Sequence, residues 1–479
     1  MAKFNSAASI KTTNKCGHVA YAMTDKAKLI TQVLTSFFNE AKFYGDNSAN
    51  MQETIAAVIK TDPKFVSNLA VYARRVFNMR SVSHVLTAYL AHEPEGKPFV
   101  RKTVKGIALR GDDVTELMAF YLATFGKPIP NSLRKGINDV FTTFDEYTLA
   151  KYKGDNKALK MRDIIMLCHP TPKSGEQSAL WKRCLENSLE TPVTWETQLS
   201  ANGNNAETWE KLIDSGKVGY MALLRNLRNI IKANPTNINK VFETIEDPVR
   251  VHKSKQLPFR YLSAYKSIEG IAGSRALDAL EDAVNAAVDN LPKIHGNTVI
   301  AVDVSGSMGS LISGKSDVRC HDIALLLAFI ANKICDNAHI FAFDTALHNL
   351  SVSSRAGILS QVVNAYPHGG GTDMGIPFEY MITRKISADR IIILSDNMCN
   401  LGKTWFNRKT VNTLAAEYRQ KTGNDLWVHA VDLQGYGTQQ FAGAKTNIIA
   451  GWSEKVFDFI NLAEQGEGSL EKTIENYTW

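Results

Sequence analysis

The hydrophobic and polar positions follow two different patterns along the chain, and the change falls near residue 290. Before it, apolar residues recur at helical spacing and no convincing strand pattern is present. The intervals with this periodicity are residues 26–43, 63–77, 82–90, 115–125, 177–189, 220–233 and 274–288. Many helices of about 10–18 residues joined by short loops are typical of paired helices stacked as an α-solenoid, which we predict here.

After residue 290 the pattern alternates between strands and helices. The predicted strands are 298–304, 339–343, 390–395, 426–433 and 447–450. The predicted helices are 320–335, 355–365, 410–421 and a last one that begins at residue 453. This alternation predicts a doubly wound α/β domain with a parallel sheet. We therefore divide the chain into a helical domain, 1–290, and an α/β domain, 291–479.

The composition is that of a globular protein with more than one domain. The chain has 479 residues, of which 44% are hydrophobic and 22% charged. No apolar run reaches the roughly 18 residues that span a bilayer, and the first residues lack the apolar core of a signal peptide. The six cysteines are scattered without a Cys-x-x-Cys pair, which predicts reduced thiols. We expect a cytoplasmic protein.

The positive charge is concentrated in the helical part. The formal net charge is +7, and residues 1–290 contain 39 Lys and Arg against 30 Asp and Glu. A basic domain joined to a nearly neutral one favours a polyanionic partner for the basic domain, with nucleic acid as the main candidate. The alternative is an ordinary solvated surface, because the excess is modest for this length.

The end of the first α/β strand carries one acid and two hydroxyls at alternate positions. Asp303, Ser305 and Ser307 follow a short β-branched apolar run. One carboxylate and two hydroxyls on a tight loop offer hard oxygen ligands and no soft ones, a combination that suits Mg²⁺. The pattern is short enough to arise by chance, so a metal site needs partners from elsewhere in the chain.

Two later residues supply those partners. Thr372 lies in the glycine-rich loop 369–373, and Asp396 follows the buried strand 390–395. Because the carboxyl ends of parallel strands open on the same edge of a sheet, these side chains are expected to converge. We predict one octahedral Mg²⁺ with a position left for an external carboxylate or phosphate; the alternative is that each side chain caps a helix or loop. The predicted ligands are Asp303, Ser305, Ser307, Thr372 and Asp396.

This five-residue set resembles the metal-ion-dependent adhesion site (MIDAS) of von Willebrand factor A domains. The resemblance covers roughly residues 295–479 and includes all five positions. It implies a Rossmann-like fold whose ion captures an acidic group on a partner protein, and it implies no catalysis. The loops contain no clear activated nucleophile, so we expect a protein that is not an enzyme.

Three segments of the helical part resemble the TROVE module of the Ro ribonucleoprotein family. They are residues 77–84, 221–229 and 257–265, and the second is preceded by Trp209 and by residues 216–220. The resemblance implies HEAT-like helical repeats that close into a monomeric ring, with the A domain joining its ends. It also implies small non-coding Y-like RNA on the basic outer surface and single-stranded 3′ ends of misfolded RNA in the central hole.

The segment with the composition most typical of RNA binding runs from residue 151 to residue 173. Basic side chains beside the ring of Tyr152 supply cations for phosphates and a surface for base stacking. The resemblance implies that Lys151 and His169 lie on the Y-RNA surface, although residues 154–156 place an acid where the family tends to be basic. The alternative is a solvated linker with a core histidine at His169. The predicted RNA-binding residues of this segment are Lys151, Lys153, Lys157, Lys160, Arg162 and His169.

Arginines outside this segment allow two interpretations. Arg75 and Arg80 are included among the RNA-binding candidates, but they could equally hold the helices together. In residues 221–229 the leucines share one helical face, and Arg225 and Arg228 share another. Because that stretch is suited to packing, we favour a structural role for these two arginines.

We predict an RNA-binding protein that acts in RNA quality control or as a scaffold for RNA degradation, with an exoribonuclease or an acidic protein as a partner at the Mg²⁺ site. One alternative is a scaffold for protein interactions that has no RNA function. Another is a Mg²⁺-dependent nuclease or phosphatase. That alternative would need a second metal or a general base near Asp303, and the local candidate for the base, His368, is better interpreted as a loop residue.

Overall fold

The computed structural model divides the chain into two compact units. It describes residues 11–13, 19–35, 49–154, 157–312, 316–353, 355–365, 369–399, 409–435, 438–465 and 470–479. One unit comprises Met1–Asn39 and Gln198–Leu470, and the other Glu40–Thr197 and Glu471–Trp479. Neither unit is one continuous stretch of chain. The domain boundary at 290/291 stays a prediction.

The chain before residue 290 is mostly helical, as the apolar periodicity predicts. In chain order its elements are β1 (Lys11–Thr13), β2 (Val19–Ala22), α1 (Asp25–Leu34), α2 (Ala49–Thr61), α3 (Pro63–Arg75), α4 (Ser81–His92), α5 (Lys97–Ile107), α6 (Asp113–Phe125), α7 (Asn131–Phe141), α8 (Glu146–Lys151), α9 (Met161–Cys168), α10 (Gly175–Leu185), α11 (Trp195–Asn202), α12 (Ala206–Asp214), α13 (Tyr220–Ala233), α14 (Asn239–Glu246), α15 (Pro248–Ser254), α16 (Pro258–Ile268) and α17 (Ser274–Val288).

Local signals fix the ends of several helices. Helix α3 begins after Asp62, whose carboxylate accepts a hydrogen bond from the Phe65 amide at 3.0 Å, with proline in the first turn. Helix α13 ends at Asn234, which adopts a left-handed conformation with φ of 51°. The predicted helix at 26–43 ends at Leu34, and its last residues lie outside the described part of the chain.

The expectation that no strand precedes residue 290 is wrong. Strands β1 and β2 pair antiparallel, and β2 pairs in turn with residues 438–439. Three- and four-residue strands are too short to show a period of two in the sequence. The second partner of β2, residues 438–439, lies more than 400 residues away, so that pairing is a tertiary effect.

After residue 290 strands and helices alternate, which confirms the predicted α/β domain. In chain order the elements are β3 (Ile294–Asp303), α18 (Cys320–Ile334), β4 (Cys335–Phe343), β5 (Leu347–Asn349), α19 (Ile358–Asn364), α20 (Ile376–Thr383), β6 (Arg390–Ser395), α21 (Val411–Thr422), β7 (Trp427–Asp432), β8 (Thr438–Gln439), β9 (Thr446–Ala450), α22 (Val456–Glu464) and α23 (Leu470–Glu475).

The sheet of this domain has the strand order β5-β4-β3-β6-β7-β9. All neighbouring pairs are parallel except β4 and β5. Strands β3, β6 and β7 occupy the centre and are almost wholly buried, which explains their continuous apolar runs. Their carboxyl ends lie along one edge of the sheet.

The last helices of the helical part pack directly on the α/β domain within the first unit. The carboxylate of Glu281 in α17 accepts hydrogen bonds from the amides of Leu359 (3.1 Å) and Ser360 (2.7 Å), at the first turn of α19. Lys266 in α16 forms an ion pair with Asp322 in α18, with 2.5 Å between Nζ and Oδ2. These helices therefore share one compact unit with the sheet.

Two global properties agree with the composition. None of the helices that the structure describes is both long and apolar enough to cross a bilayer. The cysteines that fall within the described ranges are all buried, and none of them forms a disulfide; they are Cys168, Cys184, Cys320, Cys335 and Cys399. Cys16 lies outside the described residues.

Candidate functional site

At the carboxyl edge of the sheet, the predicted ligand Asp303 lies next to β6, the strand that precedes the predicted ligand Asp396. Asp303 ends β3 and Ser395 ends β6, and the Ser395 hydroxyl donates a hydrogen bond of 2.6 Å to Asp303 Oδ2. The backbone amide of Ser305 donates to the other oxygen of Asp303 at 2.9 Å. Asp303 is thereby fixed in orientation, and Asp396 follows directly after Ser395.

Backbone hydrogen bonds join the three loops that carry the other ligands. The Gly306 amide donates to the Gly370 carbonyl at 2.9 Å, and the Gly369 amide donates to the Val304 carbonyl at 3.0 Å. The Cys399 thiol contacts the Thr372 carbonyl at 3.5 Å, which joins the glycine-rich loop to the segment after β6. The structure therefore brings the loops with all five predicted ligands together.

The two carboxylates of this edge are fully buried and disfavour each other's charge. Burial, together with the charge of Asp396, raises the pKa of Asp303 to about 7. Burial also raises the pKa of Asp396, although the nearby Ser307 hydroxyl opposes the rise. Asp396 Oδ1 accepts a hydrogen bond from the Met398 amide at 3.1 Å, whereas no described residue donates a hydrogen bond to its buried Oδ2.

The chemistry of these side chains is suited to binding a divalent cation at this edge of the sheet. A buried carboxylate oxygen without a partner is costly, and a cation beside it would offset both that cost and the mutual repulsion of the acids. Ser305 and Ser307 hydroxyl oxygens lie 3.3 Å apart, and Ser307 is exposed, so the loop can present oxygen ligands towards solvent. No three described His, Cys, Asp or Glu side chains form a metal-binding group, so hydroxyl ligands would be essential.

A third acid stands at the same edge and was missed from the sequence. Asp432 ends β7, and its Oδ1 accepts hydrogen bonds from the amides of Gln434 (2.9 Å) and Gly435 (2.8 Å). Its Oδ2 is buried and has no hydrogen-bond partner within the described part of the chain. Burial raises the pKa of Asp432 to about 7, and the charge of Asp396 adds to the rise. A strand that ends in Val-Asp, as β3 does, was the signal that could have identified it.

A histidine–acid pair also lies near this edge. Asp344 follows β4, and His348 Nε2 lies 2.8 Å from its Oδ1. Asp344 lies next to the glycine-rich loop, because the Asp373 amide donates to its carbonyl at 3.0 Å. His368, the base considered for a hydrolase, lies outside the described residues.

The basic segment places Lys151 in an exposed cluster of rings and cations. Lys151 ends helix α8, and its ammonium lies 5.4 Å from the ring centroid of Tyr147 and 5.6 Å from that of Tyr152. The guanidinium of Arg110 lies 5.5 Å from the Tyr152 ring. Tyr147 is half exposed, so a flat ring and the Lys151 ammonium face solvent together, while the Arg110 guanidinium also pairs with Asp112 at 3.2 Å. Tyr147 and Arg110 were not predicted, because neither falls within residues 151–173.

His169 is exposed, unlike the core histidine of the alternative interpretation. It terminates α9 in a left-handed conformation with φ of 49°, immediately before the buried Pro170. Lys157, by contrast, forms an ion pair with Glu116 at 2.7 Å and lies 3.6 Å from Asp112. Its charge is thus largely balanced within the protein.

The remaining basic candidates of the segment have intermediate exposure. Lys153 accepts a hydrogen bond at its carbonyl from the Met161 amide at 3.0 Å. Lys160 precedes α9, and its amide donates to the Asp163 carboxylate at 2.7 Å. Arg162 Nε lies 3.9 Å from the same carboxylate. The backbone contacts of Lys153 and Lys160 hold the loop, whereas Arg162 makes its contact through its side chain, whose Nε is buried.

Comparisons with known proteins place the chain in a family. The sequence profile of the TROVE domain matches residues 21–191 and 182–274, more than half of the chain. This chain belongs to the TROVE family. The profile of the Ro60 von Willebrand factor A domain matches residues 297–460 as well.

Several known proteins are similar in sequence or structure to this TROVE-family chain. Telomerase protein component 1 of Rattus norvegicus is 25% identical over 326 residues, which cover 50% of this chain and 12% of that protein. RNA-binding protein RO60 of Deinococcus radiodurans is 25% identical over 342 residues, which cover 60% of this chain and 63% of the relative. The chain thus spans less than two thirds of these relatives. The crystal structure of the Deinococcus radiodurans RO (RSR) protein matches with a TM-score of 0.63 and 18% identity, over 92% of this chain and 100% of that one, which shows a common fold.

Arg80 of this TROVE chain lies in a buried ion-pair cluster. Its guanidinium contacts Asp113 at 2.5 Å, Asp112 at 2.9 Å and Glu116 at 3.2 Å. These contacts favour a structural role for Arg80. Arg75 is exposed, and its Nε donates to the Gly106 carbonyl at 2.9 Å, which leaves part of the guanidinium towards solvent.

The TROVE motif on α13 presents a basic stripe to solvent. Leu223, Leu224 and Leu227 are buried, as predicted, whereas Arg225, Arg228 and Lys232 are exposed. The three cations lie three or four residues apart and therefore share one face of the helix. None of the three side chains has a hydrogen bond or ion pair to a described residue. The packing role that the sequence favoured for Arg225 and Arg228 therefore has no support in the structure.

Proposed function

We propose that this protein binds RNA and holds a small structured Y-like RNA on the exposed surface around α8 and α9. The observation that carries the proposal is the cluster of Lys151, Tyr147, Tyr152 and Arg110, which combines cations for phosphates with rings for stacking. This is the chemistry of sequence-tolerant RNA contacts. Membership of the TROVE family supports it, since the relative in Deinococcus is named an RNA-binding protein.

We further propose that single-stranded RNA ends contact the stripe formed by Arg225, Arg228 and Lys232. Three unpaired cations on one helical face offer regularly spaced phosphate contacts, whereas other helical lysines such as Lys211 and Lys240 are neutralised by carboxylates at 2.7 and 2.8 Å. In this proposal the helical repeats close into a ring whose hole admits the 3′ ends of misfolded RNA. The protein would then serve RNA quality control or present RNA for degradation.

The sheet edge is proposed to hold Mg²⁺ and to dock an acidic group of a protein partner, such as an exoribonuclease. Asp303 and Asp396 would supply charge, and Ser305, Ser307 and Thr372 neutral oxygens. The bound ion would supply an open coordination position for a carboxylate. In this proposal the chain's own residues orient the ion and move no proton, so the protein is not an enzyme. If the purified protein contains no RNA, the alternative function is a scaffold that binds partner proteins through this docking site.

Replacing Lys151 by glutamate is expected to weaken binding of a fluorescent RNA hairpin with an oligouridine 3′ tail several-fold. Loss of one phosphate contact should also reduce the slope of log affinity against log salt by about 0.7–0.9. The measurement is fluorescence anisotropy at a series of salt concentrations. The matched control is Lys182→Glu, an exposed lysine in the same unit, which should bind as the parent does. Equal effects of the two variants would place the RNA elsewhere.

Replacing Arg225 and Arg228 together by glutamine is expected to weaken binding of free oligouridine and to lower its salt slope by about 1.4, since each single-strand contact contributes about 0.7. The control pair is Lys211→Gln with Lys240→Gln, which removes the same charge from exposed helical positions of the same unit. If the control pair weakens binding as much, general electrostatics rather than the stripe attracts the strand.

A further inference from the structure

We propose that Asp432 is a positioning residue of the metal centre, whose Oδ2 accepts a hydrogen bond from a water molecule bound to the cation that Asp303 and Asp396 hold. The inference rests on the metal site proposed above. It adds a residue that lies outside the five-residue pattern and enters from a different strand.

Strand register places Asp432 in line with the site. Ser395 and Asp432 are paired residues of β6 and β7, with backbones about 4.8 Å apart as in any sheet. The β3–β6 register continues from Val302 and Leu394 to Asp303 and Ser395, whose side chains are hydrogen bonded. Asp303, Ser395 and Asp432 therefore form a row on one face of three adjacent strands.

The Ser395 hydroxyl, in the middle of this row, cannot donate a hydrogen bond to Asp432. Ser395 has one proton, which it donates to Asp303 Oδ2, and its oxygen accepts from the Asn397 amide at 3.0 Å. Asp432 Oδ2 thus remains buried and without a hydrogen-bond partner among the residues that the structure describes, in a residue that is 1% exposed.

The turn after β7 does not account for the charge of Asp432. That turn uses only Oδ1, which accepts the amides of Gln434 and Gly435. Asparagine or serine would perform the same task without a buried charge. A carboxylate is required only if Oδ2 faces a positive centre or a donor that the described residues do not supply.

The geometry does not favour direct coordination of the cation by Asp432. Asp303 and Asp432 stand on strands separated by β6, about 9–10 Å apart by backbone spacing. No three described carboxylates form a metal-binding group. An acid one strand away can act through a metal-bound water, and partners of this kind typically change metal affinity by about 10- to 100-fold.

The test is Mn²⁺ binding to the full chain, followed by the loss of the free-ion signal in electron paramagnetic resonance. Asp432→Asn keeps the shape and the Oδ1 acceptor, and we expect it to weaken Mn²⁺ binding about 10-fold or more. Asp432→Ser, which retains a turn acceptor, should behave in the same way. The control is Asp336→Asn at the start of β4, on the opposite edge of the sheet, which should bind as the parent does.

Each outcome decides the role. Unchanged affinity in Asp432→Asn or Asp432→Ser, with weak binding in Asp303→Ala, overturns the inference and leaves the metal site intact. Parent-like binding in Asp303→Ala overturns the metal site and the inference with it. A purely structural role would alter the melting temperature of the metal-free variants without altering their Mn²⁺ affinity, and that result also overturns the inference.

Discussion

Replacing Asp113 by alanine is expected to lower the free energy of unfolding of the unit formed by residues 40–197 and 471–479 by about 3–5 kcal/mol. Asp113 Oδ2 accepts the Leu109 amide at 2.9 Å and the Arg110 amide at 2.8 Å, and lies 3.2 Å from the guanidinium of Arg74. Its Oδ1 contacts Arg80 at 2.5 Å. Because Arg74 is itself buried, removing the carboxylate leaves an uncompensated charge in the helical core.

The measurement is hydrogen exchange of the amides in α3, α4 and α6, combined with urea denaturation. The control is Asp139→Ala, which removes an exposed carboxylate that pairs with Arg101 at 2.6 Å and should have little effect. If the two variants unfold at the same urea concentration, the cluster around Asp113 does not stabilise the unit.

The same cluster has a predicted pH dependence. Burial alone would raise the pKa of Asp113, but the hydrogen bond and charge of His84 and the charges of Arg80 and Arg74 outweigh it and lower the pKa well below its usual range. A carboxylate with a depressed folded pKa contributes stability above its unfolded value of about 3.9 and loses it as the pH falls. The stability difference between parent and Asp113→Ala should therefore shrink when the pH is lowered below about 4.

Replacing Asp303 by alanine is expected to weaken Mg²⁺ and Mn²⁺ binding by more than about 100-fold, since even indirect partners of a metal change affinity by up to that factor. RNA affinity should change by less than about two-fold, because the Lys151 cluster and this edge have no residue in common and belong to different compact units. Metal binding is measured by calorimetry, and RNA binding by fluorescence anisotropy.

Two results would contradict this separation. If RNA binding by Asp303→Ala collapses while the circular dichroism spectrum stays that of the parent, the metal site takes part in RNA binding. If the parent protein cleaves labelled RNA in Mg²⁺ and Asp303→Ala does not, the site is hydrolytic, and the pair of Asp344 and His348 becomes the candidate base. We expect the RNA to remain intact.

Much of the fold could be predicted because its signals are local. Helix α13 begins at Tyr220 and ends at Ala233, as its apolar spacing predicts, since one face of a helix reaches the core every three or four residues. Strand β6 runs from Arg390 to Ser395, also as predicted, because a central parallel strand is apolar on both faces. The general rule for parallel sheets then placed Asp303 and Asp396 at one edge.

By itself, the sequence determined the helical and α/β regions and the TROVE and A-domain motifs, and it predicted a metal-ligand set that stays a prediction. Only the tertiary structure decided which basic side chains are free of ion pairs within the protein and exposed to a partner. It pairs Arg80 and Lys157 with carboxylates and leaves Lys151, Arg225 and Arg228 exposed. The physical reason is that an ion pair or an unsatisfied buried oxygen depends on groups from distant parts of the chain. Asp432 illustrates the same limit of the sequence, because the buried Oδ2 without a hydrogen-bond donor is apparent only when β6 and β7 lie side by side.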